Sequence, residues 1–334
     1  MVSAQRAICW RDRSLLLVAQ ASACATETPA KEEYVIVRAW LIDASAPVCH
    51  YFVGLRVCIC PLGGFISLRI TILGSGSSGN CTLLETDTTR LLVDAGLGKK
   101  ETLRRLAAVG RDVDRLDGIV ISHEHSDHIG SLAQVLGQWR TTVYLNEATH
   151  TEVMRILPET SHKRLDRVEH IRAGQKFIVG DIEVSPFAIP HDAVDPLGYT
   201  FRANGTKIAI VTDLGYLPEL VKVHLREADC LVLESNHDVE MLKVGPYPWH
   251  IKQRVMSRTG HLSNHTVSEY LSDSEGFDAH ARYVVLAHLS ENNNNPDVAR
   301  ISAEEALGRR TGAAAFSGEL IIARQEAPIP TMNL

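Results

Sequence analysis

Short apolar runs separated by polar turns begin at Leu68 and continue to the C-terminus. Residues 69–73 predict a strand, residues 82–85 and 90–93 two more, and Asp87, Thr88 and Thr89 the polar turn between them. Leu103, Leu106 and Ala107 recur at helical spacing within residues 100–109, and Gly110 ends that helix. Residues 118–121 read as a buried strand ending on Ser122, followed by a helix over 128–139. Residues 199–202 and 207–212 flank Asn204-Gly205, a hairpin signal because both turn positions need positive φ. Apolar runs at 231–233 and 283–286 are strands preceded by helical stretches. Hairpins first, then alternating strands and helices, predict an α/β chain with two sheets covered by helices on the outside.

The first 67 residues differ in kind. They show no sustained helical or strand period, and they hold five of the seven Cys but only one of the 15 His. Arg11 and Arg13 before a short apolar stretch imitate an export signal whose apolar core is too short. The apolar stretch over 48–66 is interrupted by His50, Arg56, Pro61 and a glycine pair, which makes it a poor membrane helix. Cys81 and Cys230 lie in or beside apolar strands as buried free thiols, the pattern of a reducing cytoplasm. At 45% hydrophobic and 22% charged, the 334 residues are those of a folded protein. The 34 Lys+Arg against 40 Asp+Glu leave a net charge of −6, so an anionic substrate has to be held locally, by metals or a small basic patch.

Chemistry gathers at strand ends. The segment His123-Glu124-His125-Ser126-Asp127-His128 directly follows a buried strand. In an extended segment positions i and i+2 point the same way, so His123 and His125 can grip one ion, while Asp127 and His128 are offered to a second. Glu124 and Ser126 are spacers. Further ligands should then stand at later strand ends. His191, Asp213 and His288 do, although each taken singly also reads as a hydrogen-bonded structural residue. Asp94 ends its own strand, where a carboxylate can orient a ligand histidine through its other ring nitrogen.

The order Asp94, His123-x-His125-x-Asp127-His128, His191, Asp213, His288 resembles the five motifs of the metallo-β-lactamase superfamily. Leu73-Gly74-Ser75-Gly76-Ser77-Ser78-Gly79-Asn80, Glu234-Ser235-Asn236-His237-Asp238, Gly245-Pro246-Tyr247-Pro248-Trp249 and Gly260-His261-Leu262-Ser263-Asn264 are similar to its YycJ/WalJ subgroup. The resemblance covers residues 68–334 and implies an αββα four-layer sandwich. Residues 1–67 have no counterpart in it and are an unassigned extension, disordered, added as a tail or mistranslated from upstream. It further implies His123, His125 and His191 on one metal, Asp127, His128 and His288 on the other, and Asp213 bridging. An aspartate bridge without cysteine is similar to the phosphodiesterase branch. Two divalent ions, Zn or Mn, about 3.5–4 Å apart can hold a hydroxide nucleophile and phosphate oxygens together. The expected activity is hydrolysis of nucleic acid, DNA in preference to RNA, as a cytoplasmic 5′-to-3′ exonuclease with Asp127, Asp213 and His261 catalytic. A small-molecule hydrolase of cyclic phosphodiesters or thioesters is the alternative.

His261 precedes a predicted helix over 265–271, where backbone donors favour a phosphate. It resembles the histidine that contacts substrate phosphate or assists the leaving group in RNase J-like nucleases. Ser263 and Asn264 read either as helix caps or as substrate contacts. Ser77, Ser78 and Asn80 sit in a donor-rich loop, and Asn236 follows a strand; all are candidate substrate contacts, with structural roles equally open for Asn236 and its neighbour His237. Lys243, Lys252, Arg254 and Arg258 against Glu240 make a local charge of about +3. That run is either a solvated face or a contact for phosphates.

Overall fold

The computed structural model describes residues 67–334, and of the chain before them only four backbone strands: Arg11–Asp12, Leu15–Ala23, Val35–Ile42 and Leu55–Arg56. Contacts divide the chain into Met1–Ile66 and Ser67–Leu334. In the first unit the four strands form one antiparallel sheet. The signal-like arginines and the five early cysteines lie outside the residues whose side chains are described.

The second unit contains two seven-stranded sheets. In the first, β1 (Arg69–Gly74), β2 (Cys81–Glu85) and β3 (Arg90–Val93) form an antiparallel meander, which β4 (Gly118–Val120), β5 (Val143–Leu145) and β6 (Val168–His170) extend in parallel, while the C-terminal strand Met332–Asn333 pairs antiparallel with β1 as the seventh. The second carries β7 (Phe177–Val179), β8 (Ile182–Ala188), β9 (Leu197–Ala203) and β10 (Thr206–Val211) as antiparallel hairpins. Then β11 (Cys230–Glu234), β12 (Tyr283–Ala287) and β13 (Glu319–Ile322) follow in parallel. The β9–β10 turn is Asn204 at φ 48° and Gly205 at φ 82°, the left-handed pair that the hairpin signal requires.

One apolar layer lies between the sheets, with Ile70, Leu84 and Val93 facing Val184, Phe201, Ile208 and Val232. Leu106, Ile129, Leu132 and Val153 pack helices on the outer face of the first sheet, and Val221, Val267, Leu271 and Ala303 on that of the second. Each such large side chain contributes about 1.5–3 kcal/mol by leaving water. The layers therefore run helix, sheet, sheet, helix, which is the αββα sandwich. Tyr199 crosses the interior, its hydroxyl donating to the Ile121 carbonyl at 2.6 Å.

The expected helix over 128–139 is corrected. The chain forms Ser126–Ile129 and Leu132–Leu136 instead, broken at Gly130-Ser131. Ser131 donates its N–H to the Ala95 carbonyl (2.9 Å), so a tertiary bond takes the place of the helical ladder.

Candidate metal centre

Strands β10, β11 and β12 run parallel, as do β3 and β4, and in each group the carboxyl ends share one edge. Asp94 (φ 59°) and His288 (φ 53°), immediately past β3 and β12, and Asp213 (φ 61°), two residues past β10, turn into the left-handed region. Non-glycine residues rarely adopt that conformation, and it costs on the order of 1–3 kcal/mol where the surroundings enforce it. Here it bends each chain so that the polar side chain faces the shared edge.

Three groups of side chains converge there: His123, His125 and His191; Asp127, His128, Asp213 and His288; and Asp213, Glu234, His261 and His288. Their ligand atoms lie within 4.8 Å of one another inside each group. His191 Nε2 is 3.3 Å from His125 Nδ1. Asp127 Oδ2 is 3.3 Å from both His128 Nε2 and His288 Nε2. Asp213 stands between the groups, with Oδ2 3.2 Å from His128 Nε2, and Oδ1 4.0 Å from His191 Nε2 and 3.3 Å from His288 Nδ1.

The orientation of the imidazoles suits metal ligation. Nδ1 of His123 meets Ser122 Oγ (3.0 Å), Nδ1 of His128 meets Asp94 Oδ2 (2.8 Å), Nδ1 of His191 meets the Gly260 carbonyl (3.2 Å) and Nδ1 of His288 meets Glu234 Oε1 (2.9 Å). With one nitrogen engaged, the other is fixed as the inward donor. His123 Nε2 and Asp213 Oδ2 are buried without a hydrogen bond. Burying polar atoms so is costly unless a cation satisfies them, and this donor set of imidazoles and carboxylates fits a divalent ion.

The electrostatics agree. Burial alone would push His128 and His288 down, yet Asp127, Asp213 and the neighbouring carboxylates outweigh it and hold both well above the usual histidine range. His123, buried beside His128, is pushed well below it. Asp213 is buried too, but the imidazoles of His288 and His128 drive its carboxyl well below the usual carboxylate range. Such a set of strongly perturbed groups marks a functional site.

Glu234 is the residue that sequence reasoning missed. Fully buried at the end of β11, its Oε1 accepts from His261 Nδ1 (2.8 Å) and His288 Nδ1 (2.9 Å). Oε2 accepts from the N–H groups of Leu214 (3.1 Å) and Leu262 (2.9 Å). Burial would raise its carboxyl, but His261 and its other partners bring it down to about 2. The available signal was its place, an acid closing an apolar strand as Asp94 and Asp213 do. Glu234 in turn holds His261 above its usual range against burial. The His261 ring lies 5.2 Å from that of His191 and 5.4 Å from that of His288, between the clusters.

The other candidates are placed as follows. Asn80 is buried, with Nδ2 3.1 Å from Asp127 Oδ2 and 3.0 Å from His128 Nε2, so its amide meets two residues of the candidate centre. Ser77 and Ser78 are exposed on the neighbouring loop, where Ser78 N–H donates to Gln325 Oε1. Asn236 donates to the His288 carbonyl (2.9 Å), Ser263 accepts from Thr266 N–H as a helix cap, and Asn264 joins Ser235 and Asn294 in a buried amide network. His237 is buried with Nδ1 unpartnered, and burial pushes it down to about 4. Of the basic run, Lys252 turns inward to the Lys243 carbonyl, Lys243 pairs with Glu240 and Arg254 with Asp192.

A β-lactamase superfamily domain matches residues 89–289. The exodeoxyribonuclease YycJ of Bacillus anthracis is 37% identical over 250 residues, 72% of this chain and 90% of that relative. The exodeoxyribonuclease WalJ of Streptococcus pneumoniae is 36% identical over 249 residues, 73% of this chain and 90% of that one. The metallo-β-lactamase fold protein YhfI from Bacillus subtilis, 18% identical, has a TM-score of 0.59 over 79% of this chain and 99% of its own. Among the described residues no helix is long and apolar enough to cross a membrane. The fold, the ligand set at its strand ends and these relatives together establish that the chain belongs to the metallo-β-lactamase superfamily and is a metal-dependent hydrolase.

Proposed function

We propose that this protein is a dinuclear metal-dependent exonuclease that digests DNA from the 5′ end. The observation that carries the phosphodiesterase reading is the position of Asp213 between the two histidine clusters, with Oδ2 3.2 Å from His128 Nε2 and Oδ1 3.3 Å from His288 Nδ1 and 4.0 Å from His191 Nε2. A carboxylate so placed suits two ions, one held by His123, His125 and His191 and the other by Asp127, His128 and His288. Bound there, a divalent pair such as Zn or Mn supplies an activated water and neutralises the charge of a phosphodiester under attack.

The protein's own residues do the rest. Asp94, Ser122, Gly260 and Glu234 hold the ligand rings in one tautomer and one direction, which lowers the reorganisation needed when substrate arrives. His261, which Glu234 holds above its usual range against burial, is partly open at the mouth and is placed to donate to a phosphate oxygen or to the departing sugar oxygen. The relatives named as exodeoxyribonucleases support DNA as the substrate class. Free, buried Cys81 and Cys230 fit the reducing cytoplasm where DNA is processed.

The test is a panel of 5′-labelled single- and double-stranded DNA and RNA, with a cyclic nucleotide and a thioester as small-molecule competitors. The proposal expects mononucleotides or short products released first from the 5′ end of DNA. Turnover restricted to the cyclic nucleotide or thioester would overturn it.

A further inference from the structure

The nuclease reading leaves unexplained the exposed side of the helix Trp249–Val255 and the turn after it. Trp249 is 63% exposed, and among the Phe, Trp and Tyr side chains of the described residues it alone is exposed. Val244 and Met256, on either side of it in the chain, are exposed as well. A large indole left in water is unfavourable unless something covers it, and tryptophan is enriched where a flat apolar face meets a partner.

The far end of the same segment abuts the metal centre. The Asp192 N–H donates to the Thr259 carbonyl (3.0 Å) and the His261 N–H to the Val255 carbonyl (2.9 Å). Gly215, two residues past Asp213, is packed so closely on Arg258 that an added Cβ would lie 2.3 Å from the Arg258 carbonyl carbon. The Arg258 backbone is thereby pinned beside both Asp213 and His191. Its guanidinium lies over the Tyr216 ring at 4.2 Å from the centroid. Among the described residues, Lys243 and Arg254 of this segment have carboxylate partners and Lys252 is turned inward, whereas Arg258 forms no ion pair. An exposed cation, pre-oriented on an aromatic face and uncompensated, complements a polyanion.

We infer that residues 249–258 form the track for a single-stranded nucleic acid end, with Arg258 holding a backbone phosphate beside the metal centre and Trp249 stacking a base farther out. The inference rests on the nuclease reading. The helix Trp249–Val255 rises about 9 Å along its axis before the turn that carries Arg258, which places the two contacts on different nucleotides. Bases present a π-face whatever their identity, so Trp249 favours unpaired ends over blunt duplex without selecting sequence.

Binding of a phosphorothioate dT20 oligonucleotide to the full chain tests this, measured by anisotropy across a salt series, with thermal unfolding as the check on folding. Trp249→Ala should weaken binding about 5-fold or more, leave the salt slope unchanged and leave blunt-duplex binding unchanged. Trp249→Phe should retain most of the affinity but lose the tryptophan quenching that binding produces in the unaltered protein. Arg258→Ala should lower the salt slope by about one. Variants that fold and bind the oligonucleotide as the unaltered protein does, with the same slope, would overturn the track while leaving the nuclease reading intact. Failure of the unaltered protein to bind or cut any oligonucleotide would instead remove the nuclease reading itself.

Discussion

Replacing Glu234 by Gln isolates how much the buried carboxylate does for the metal centre. The side chain keeps its shape, but one of two acceptor oxygens becomes an NH2 group. Four donors now converge on those oxygens: the Nδ1 atoms of His261 and His288, and the N–H groups of Leu214 and Leu262. If the amide oxygen stays with the two backbone donors, the NH2 group faces two imidazoles. A hydrogen bond to a charged group contributes about 1.5–3 kcal/mol, so losing both costs roughly 3–6 kcal/mol when nothing re-forms. The rings can relieve this by accepting from the amide, which moves the His288 proton to Nε2. That is the nitrogen 3.3 Å from Asp127 that should face an ion. Metal affinity should therefore fall about 10- to 100-fold, the usual range for residues that orient ligands. Chelator competition reads the affinity, and urea unfolding of the metal-free protein reads the stability. The carboxyl is lowered from 4.5 to about 2, so its stabilisation is complete above 4.5 and is lost as pH falls toward 2. The advantage over the Gln variant should shrink over that interval. Equal metal affinity and equal urea midpoints at neutral pH would refute the orienting role.

Other substitutions divide the site by role. Asp213→Ala should lower metal content and abolish turnover, whereas His237→Ala, outside the proposed ligands, should be milder; two metals and normal activity in the Asp213 variant would exclude the bridge. His261→Ala should keep its metal, measured by atomic emission, and lose about 10²–10⁴-fold in DNA digestion. The loss should be far smaller on a nitrophenyl phosphodiester if protonation of the leaving oxygen is the task of His261. Deleting residues 1–67 should leave folding and activity nearly unchanged, because every proposed ligand lies beyond them; an insoluble or metal-free product would contradict that boundary.

The histidines and aspartates that converge at the candidate centre were legible because strand patterns mark where a chain turns. His123, His125, Asp213 and His288 could be placed at strand ends from alternation and apolar runs alone, and parallel strands then bring such ends together. Glu234 was passed over although it closes β11 in the same way, because its role is defined by two histidines 27 and 54 residues away. The break at Gly130-Ser131 was equally hidden. Residues 132–136 are good helix formers, and only the long-range bond from Ser131 to Ala95 shows why the helix restarts. Asn236, Ser263 and Asn264 read as open candidates for the same reason. Their side chains are committed to backbone and amide partners that sequence spacing does not reveal. The uncompensated Arg258 was one cation among four until the pairings of the others removed them from solvent or neutralised them.

The central claim is that two ions, shared by Asp213, are needed to cut a phosphodiester. Titrating the metal-stripped full chain with Mn²⁺ while following digestion of 5′-labelled DNA tests it most directly. Activity should remain near zero through the first equivalent bound and rise with the second. Full activity with one equivalent, or digestion with none, would contradict the account.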